Sequence, residues 1–318
     1  MDAMLTRRDM LLGGLAAGAM IPIRTAFGKA SQPVTPVNFE MPAGACDCHT
    51  HTHVEHIPFF AGRGYTPEMA TPEEMSALHK ALRIQRVVVV QPSVYGTDNS
   101  ATLFGMKARG NDARGVAVID KKTPEIELDA MAKAGIRGIR LTLIRRTSDP
   151  SVGRKRFQAA ISRVQPRNWH IQIYTDLAMI SALKDDIGAS PVPVVFDHFG
   201  GAEAALGVDQ LGFSDLLGLV KLGKAYVKIS AAYRVSKLAP DYLDSAPLAR
   251  ALIAANANRI VWGTDWPHPN GAGGSTTKVS PLFQIDDGRL LNQLPVWAPD
   301  AAVRRKILVE NPARLYGF

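Results

Sequence analysis

Between residues 45 and 264 the chain repeats one pattern eight times: a short apolar, β-branched run followed by a longer stretch, many of them with helix signals. The β-rich runs are Ala45–His49, Val87–Gln91, Gly115–Ile119, Gly138–Leu143, His170–Tyr174, Val194–His198, Ala225–Ser230 and Ile260–Thr264. Helix candidates between them include Pro72–Ile84, Pro124–Ala134, Asp176–Ile187 and Leu248–Asn256, several opening on a Pro or Asp suited to a first turn. Short apolar runs alternating with helices predict parallel strands covered on both faces. Eight such units in one domain-length chain predict a single α/β domain, a (β/α)8 TIM barrel over residues 43–318. An open doubly wound sheet would want a Gly-rich phosphate loop after its first strand, and Cys46-Asp47-Cys48-His49-Thr50-His51 supplies none.

A different kind of segment precedes the barrel. Thr6-Arg7-Arg8-Asp9-Met10-Leu11 is a paired-arginine motif, followed by a Gly/Ala-rich apolar run to Ile23, then Arg24 and small residues near Ala26 to Ala30. Residues 1–30 therefore read as a twin-arginine signal, with the twin-arginine export machinery as partner and the periplasm as destination. A cytoplasmic protein with an incidental basic leader is the alternative. Gly13, Gly14 and Gly18 thin an already short apolar run, so no stable membrane anchor is expected. Residues 31–42, with Pro33, Pro36 and Pro42, read as an extended linker. The formal net charge is +8, yet no Lys/Arg run or basic stripe appears, which disfavours nucleic acid and favours a small anionic substrate. Two cysteines exclude a disulfide scaffold.

Barrel sites form at C-terminal strand ends. His49 and His51 lie two apart on the first run, so they share a face and should meet at the barrel mouth. Cys46 and Cys48 then take the opposite parity, as thiols packed toward the helices, while His53 and His56 read as loop residues. His198 ends the sixth run and Asp265 follows the eighth. A carboxylate among imidazoles can serve as general base or metal ligand. Each residue alone could be structural; four converging from three strands favour a site.

Arg140 sits within an apolar strand, where an unpaired guanidinium is expensive, so a buried carboxylate or an anionic ligand should meet it. Arg234 is placed to serve the same cavity, and several guanidiniums there would grip carboxylate-like groups. Arg145, Arg154 and Arg156 read more simply as solvated. Lys228 should face inward as a buried structural partner, with Asp47 as the carboxylate it would meet.

Four segments carry a family resemblance: Asp47-Cys48-His49-Thr50-His51, Val195-Phe196-Asp197-His198-Phe199-Gly200, Trp262-Gly263-Thr264-Asp265-Trp266-Pro267-His268-Pro269 and Asn311-Pro312-Ala313-Arg314-Leu315-Tyr316-Gly317. In this order they resemble the lactonase branch of the amidohydrolase superfamily. Within it they look most like the 2-pyrone-4,6-dicarboxylate lactonases, with the 4-sulfomuconolactone hydrolases and galactarolactone isomerases as relatives. The resemblance spans nearly the whole chain after the linker. It implies hydrolysis of a small anionic lactone, with Asp265 as catalytic base and His49, His51 and His198 polarising the carbonyl. It further implies anion contacts at Tyr65, Ser93, Arg140, Arg146 and Arg234. One departure is Gly200-Gly201, where the pyrone-dicarboxylate pattern carries an arginine.

Two-metal members need a carbamoylated lysine on the fourth strand and a histidine on the fifth; here stand Arg140 with Thr142, and Gln172 with Tyr174. The expectation is therefore no cofactor, with one Zn²⁺ on His49, His51, His198 and Asp265 as the alternative. Two other functions stay open. One is an isomerase in which a substrate hydroxyl replaces water; the other is a non-catalytic periplasmic binding protein for anionic lactones.

Overall fold

The computed structural model describes residues 30–144, 149–271 and 274–318; the leader at 1–29 and the predicted anion contact Arg146 lie outside the described residues. Eight parallel strands run in sequence order: β1 (Cys46–Thr50), β2 (Arg86–Val90), β3 (Ala113–Ala117), β4 (Ile136–Leu143), β5 (His170–Thr175), β6 (Val194–Phe196), β7 (Ala225–Ser230) and β8 (Ile260–Gly263). The sheet closes on itself just past the strand ends. Asp265 N donates to His49 O and His51 N donates to Trp266 O, both at 2.8 Å. The result is a (β/α)8 barrel.

Helix α1 (Pro72–Leu82) shows how local chemistry places the outer layer. Thr71 and Glu74 form a reciprocal capping box, Pro72 occupies the first turn, and Met75, Leu78 and Leu82 are buried against the barrel. The predicted helices appear within a few residues of their expected limits, at Glu125–Ala134, Leu177–Gly188 and Ala246–Asn256. The segment 31–42 is extended but fastened to the barrel. Trp266 Nε1 donates to Ser31 O at 3.1 Å, Thr35 N to Asp286 Oδ2 at 3.1 Å and Asn38 N to Asn292 Oδ1 at 2.9 Å.

The expected parity of β1 is wrong. Cys46 and Cys48 do not face the helices; they pack with Val88, Val90, Val116, Val195, Tyr226 and Val261, drawn from strands around the barrel interior. Asp47 is the residue that points outward, to His79 of α1 at 3.2 Å and to Thr264 Oγ1 at 2.6 Å. The register against β2 shifts between Asp47 and Thr50. Such a bulge inserts a residue and re-aims the side chains beyond it, so Cys48 and His49 both turn inward. The thiols are packed and free, as expected.

Beneath them Phe318 lies under the guanidinium groups of Arg86 and Arg114, 5.3 and 4.8 Å from its ring centre, and closes the N-terminal end of the barrel. At the other end, the loops following β1 and β8 meet over the mouth, where Thr66–Pro67 pairs with Val279–Ser280. His53 belongs to this superstructure. It is fully buried, its Nδ1 is 3.1 Å from Glu68 O, and burial pushes its pKa down to about 3.

Candidate active site

A cavity of about 180 Å³ opens at the C-terminal end of the strands. Seven of the predicted residues line it: His51, Tyr65, Ser93, Arg140, His198, Arg234 and Asp265. His49 lies directly beneath, with no exposure. Three residues that lead the chain off its strands adopt left-handed backbone: His198 (φ 45°), Ala231 (φ 52°) and Asp265 (φ 67°). Such geometry is costly for a residue with a side chain and concentrates at functional sites.

Asp265 is the hub, and its two oxygens have different surroundings. Oδ2 accepts from Tyr233 Oη at 2.6 Å and from Arg234 Nε at 2.5 Å. Oδ1 has no hydrogen-bond partner among the described residues. It faces three imidazoles, with the Nε2 atoms of His51, His49 and His198 at 3.4, 3.5 and 3.7 Å. Burial alone would raise the pKa of Asp265, but Arg234, His198 and His51 outweigh it and hold the carboxyl well below the usual range. Burial pushes His198 down to about 4, and burial with Lys228 pushes His49 well below an ordinary imidazole. At neutral pH an ionised carboxylate therefore looks toward His49 and His198 in their neutral form.

Each imidazole is oriented through its other nitrogen. His51 Nδ1 meets Val90 O at 2.8 Å, His198 Nδ1 meets Ser230 Oγ at 2.9 Å, and His49 Nδ1 meets Lys228 Nζ at 3.3 Å. Lys228 faces inward as expected, but its partners correct the expectation. It donates to Gln172 Oε1 at 2.7 Å and lies 3.5 Å from Asp197 Oδ1, because Asp47 is on the outer side of β1.

The arginines are likewise better partnered than their sequence neighbours implied. Arg140 Nε donates to Asp197 Oδ2 at 3.0 Å, and its guanidinium lies 5.3 Å from the Tyr174 ring centre. Arg234 is committed to Asp265 through Nε and to Pro269 O through Nη2 at 3.1 Å. Both still line the cavity, so each can meet an anion with the rest of its fork. Tyr65 and Ser93 also line the cavity.

Sequence reasoning missed Tyr174 and Thr142, which line the cavity, and Tyr233 and Asp197, which hold its charged groups. Tyr174 shares a strand face with Gln172 at the tip of β5, and Asp197 directly precedes His198; both signals were readable. Tyr233 was not, because it reaches Asp265 only through the turn at Ala231.

Two donor triplets, His49 with His51 and Asp265 and His49 with Asp197 and His198, have atoms within 4.8 Å of one another and could hold a metal ion. Three imidazoles and a carboxylate are a set that zinc accepts. A metal-binding histidine normally donates its second N–H to an acceptor. His51 does so. His49 differs: its second nitrogen has both Lys228 Nζ at 3.3 Å and Asp197 Oδ1 at 3.2 Å within reach, and its tautomer decides whether it fits.

Comparison with known proteins gives relatives along nearly the full length. A 4-sulfomuconolactone hydrolase of Rhizobium radiobacter is 34% identical over 89% of this chain and 93% of its own. A 2-pyrone-4,6-dicarboxylate hydrolase of Comamonas testosteroni is 34% identical over 91% and 94%. A D-galactarolactone isomerase of Agrobacterium fabrum is 29% identical over 92% and 96%. Among solved structures, an Agrobacterium tumefaciens protein in its apo form superposes with a TM-score of 0.76 at 27% identity, covering 90% of this chain and 98% of that one. The amidohydrolase family model matches residues 46–318, and the chain belongs to that family.

Proposed function

We propose that this protein is a lactonase that opens the ring of a small anionic lactone, of the pyrone-dicarboxylate or sulfomuconolactone type. The observation that carries this reading is the division of labour in Asp265. One oxygen is anchored by Tyr233 and Arg234, and the other is bare and aimed at three imidazoles in a cavity walled by guanidiniums.

In this reading Arg140 and Arg234, with Tyr65 and Ser93, hold the substrate's anionic groups. That directs the lactone carbonyl toward the histidines. Asp265 Oδ1 takes a proton from water as the water oxygen attacks the carbonyl carbon. Nε2–H donors stabilise the resulting oxyanion, and this preorganised stabilisation supplies much of the rate. The ring C–O bond then breaks, and protonated Asp265 returns its proton to the leaving oxygen, giving a ring-opened acid whose new hydroxyl is an enol where the substrate is a pyrone. In the free site the depressed pKa makes Asp265 a weak base. An anion bound at Arg234 offsets that guanidinium's field, so the substrate strengthens the base that attacks it. No step needs a metal ion or an organic cofactor.

A panel of pyrone dicarboxylates, muconolactones, sulfomuconolactones and sugar-acid lactones, each paired with its neutral ester or amide where one exists, tests the substrate class. The expected result is turnover of anionic lactones at far higher kcat/KM than their neutral counterparts. Preference for the neutral forms would overturn the assignment. The leader makes a separate prediction: residues 1–30 fused to a folded reporter should direct it to the bacterial periplasm, and changing Arg7 and Arg8 to Lys should strand it in the cytoplasm. Export of the Lys-Lys form would refute a twin-arginine route.

A further inference from the structure

We propose that Lys228 is the positioning residue that decides which nitrogen of His49 carries the proton. It makes His49 a hydrogen-bond donor at the cavity floor and unfits it as a metal ligand. The inference rests on reading His49 as a carbonyl donor in the lactonase site. Lys228 lies on the inner face of β7 and is completely buried. Its Nζ makes two hydrogen bonds, to Gln172 Oε1 at 2.7 Å and His49 Nδ1 at 3.3 Å. Burial lowers the Lys228 pKa and Asp197 opposes the shift, yet even the neutral amine has two hydrogens for these two acceptors.

The consequence follows from the chemistry of a neutral imidazole, in which one nitrogen donates and the other accepts. An Nδ1 that accepts from Lys228 leaves the proton on Nε2, the atom 3.5 Å from Asp265 Oδ1. His51 is set the opposite way. The Val90 carbonyl can only accept, so His51 Nδ1 donates to it, and His51 Nε2 lies 3.4 Å from the same carboxylate oxygen.

Asp197 is the competitor. Its Oδ1 lies 3.2 Å from His49 Nδ1, slightly nearer than Lys228 Nζ, and its Oδ2 is held by Arg140. Without Lys228, His49 Nδ1 would be free to donate to Asp197, which is the carboxylate–histidine arrangement that favours zinc on the far nitrogen.

Long-range ¹H–¹⁵N spectra of histidine-labelled protein, with His49 assigned from a His49→Gln variant, report the tautomer directly without substrate. Wild-type His49 should show the Nε2–H form, and folded Lys228→Met should show Nδ1–H. Zinc titration by calorimetry should find affinity at least about tenfold higher in Lys228→Met, since changing the group that a metal-binding histidine hydrogen-bonds through its other nitrogen moves metal affinity by about 10–100-fold. An Nδ1–H signal in the wild type, or an unchanged tautomer or zinc affinity in the folded variant, would overturn the proposal. If Lys228→Met does not fold, the wild-type spectrum decides alone. An Nε2–H signal in a protein that turns over no lactone would sink the lactonase reading and leave the tautomer assignment standing.

Discussion

Asp265→Asn lowers kcat on the preferred lactone by about 10²–10⁴-fold, the range for loss of a positioned general base. The amide is nearly isosteric, and one end can still meet Tyr233 and Arg234, so the barrel should keep its fold. What disappears is the oxygen that faces His49, His51 and His198 without a hydrogen-bond partner. An amide there cannot take a proton from water, nor return one to the leaving oxygen. Substrate affinity should change less than kcat, since the anion-binding groups are untouched. Stopped or initial-rate assays alongside circular dichroism read both quantities. Near-normal turnover by a well-folded variant would place the base elsewhere.

The arginines give the second large effect, and the geometry separates them. Arg140 is paired with Asp197 and stacked near Tyr174, whereas Asp265 is held by other groups. Arg140→Ala should raise KM for anionic lactones by about 10–150-fold, from about 1.5–3 kcal/mol per charged hydrogen bond, and clearly more than for neutral ones, which suffer only from the unpaired Asp197. Arg234 also anchors Asp265 through Nε. Arg234→Ala should therefore lower kcat as well as raise KM, because the carboxylate loses both its orientation and the neighbour that keeps it ionised. Losses of equal size on neutral and anionic substrates would show that both arginines are structural.

The barrel was legible because its strands announce themselves. Val87–Val90 is a pure β-branched run, and each of the eight runs overlaps its strand closely. The HxH pair, the Asp-His pair and the Asp265 tip were legible as rim positions for the same reason. Parity failed at Cys46 and Cys48 because strict alternation assumes an unbroken register, and the bulge after Asp47 breaks it. The partnerships of Lys228, Arg140 and Arg234 were illegible because each is set by strands distant in sequence. Asp197 and Arg140 are 57 residues apart, and Lys228 and His49 are 179 apart. A strand pattern tells which way a charge faces, but not what waits across the barrel.

Hydrolysis itself is the central claim, and solvent oxygen tests it most directly. The preferred anionic lactone is turned over in heavy-oxygen water, and the product is analysed by mass spectrometry. Attack by an Asp265-activated water predicts a ring-opened acid carrying one heavy oxygen in its new carboxylate per ring opened. An unlabelled product of the substrate's own mass would mean that a substrate hydroxyl attacked instead, and the protein would be a lactone isomerase. Saturable binding with no product of either kind would make it a binding protein and contradict the catalytic account altogether.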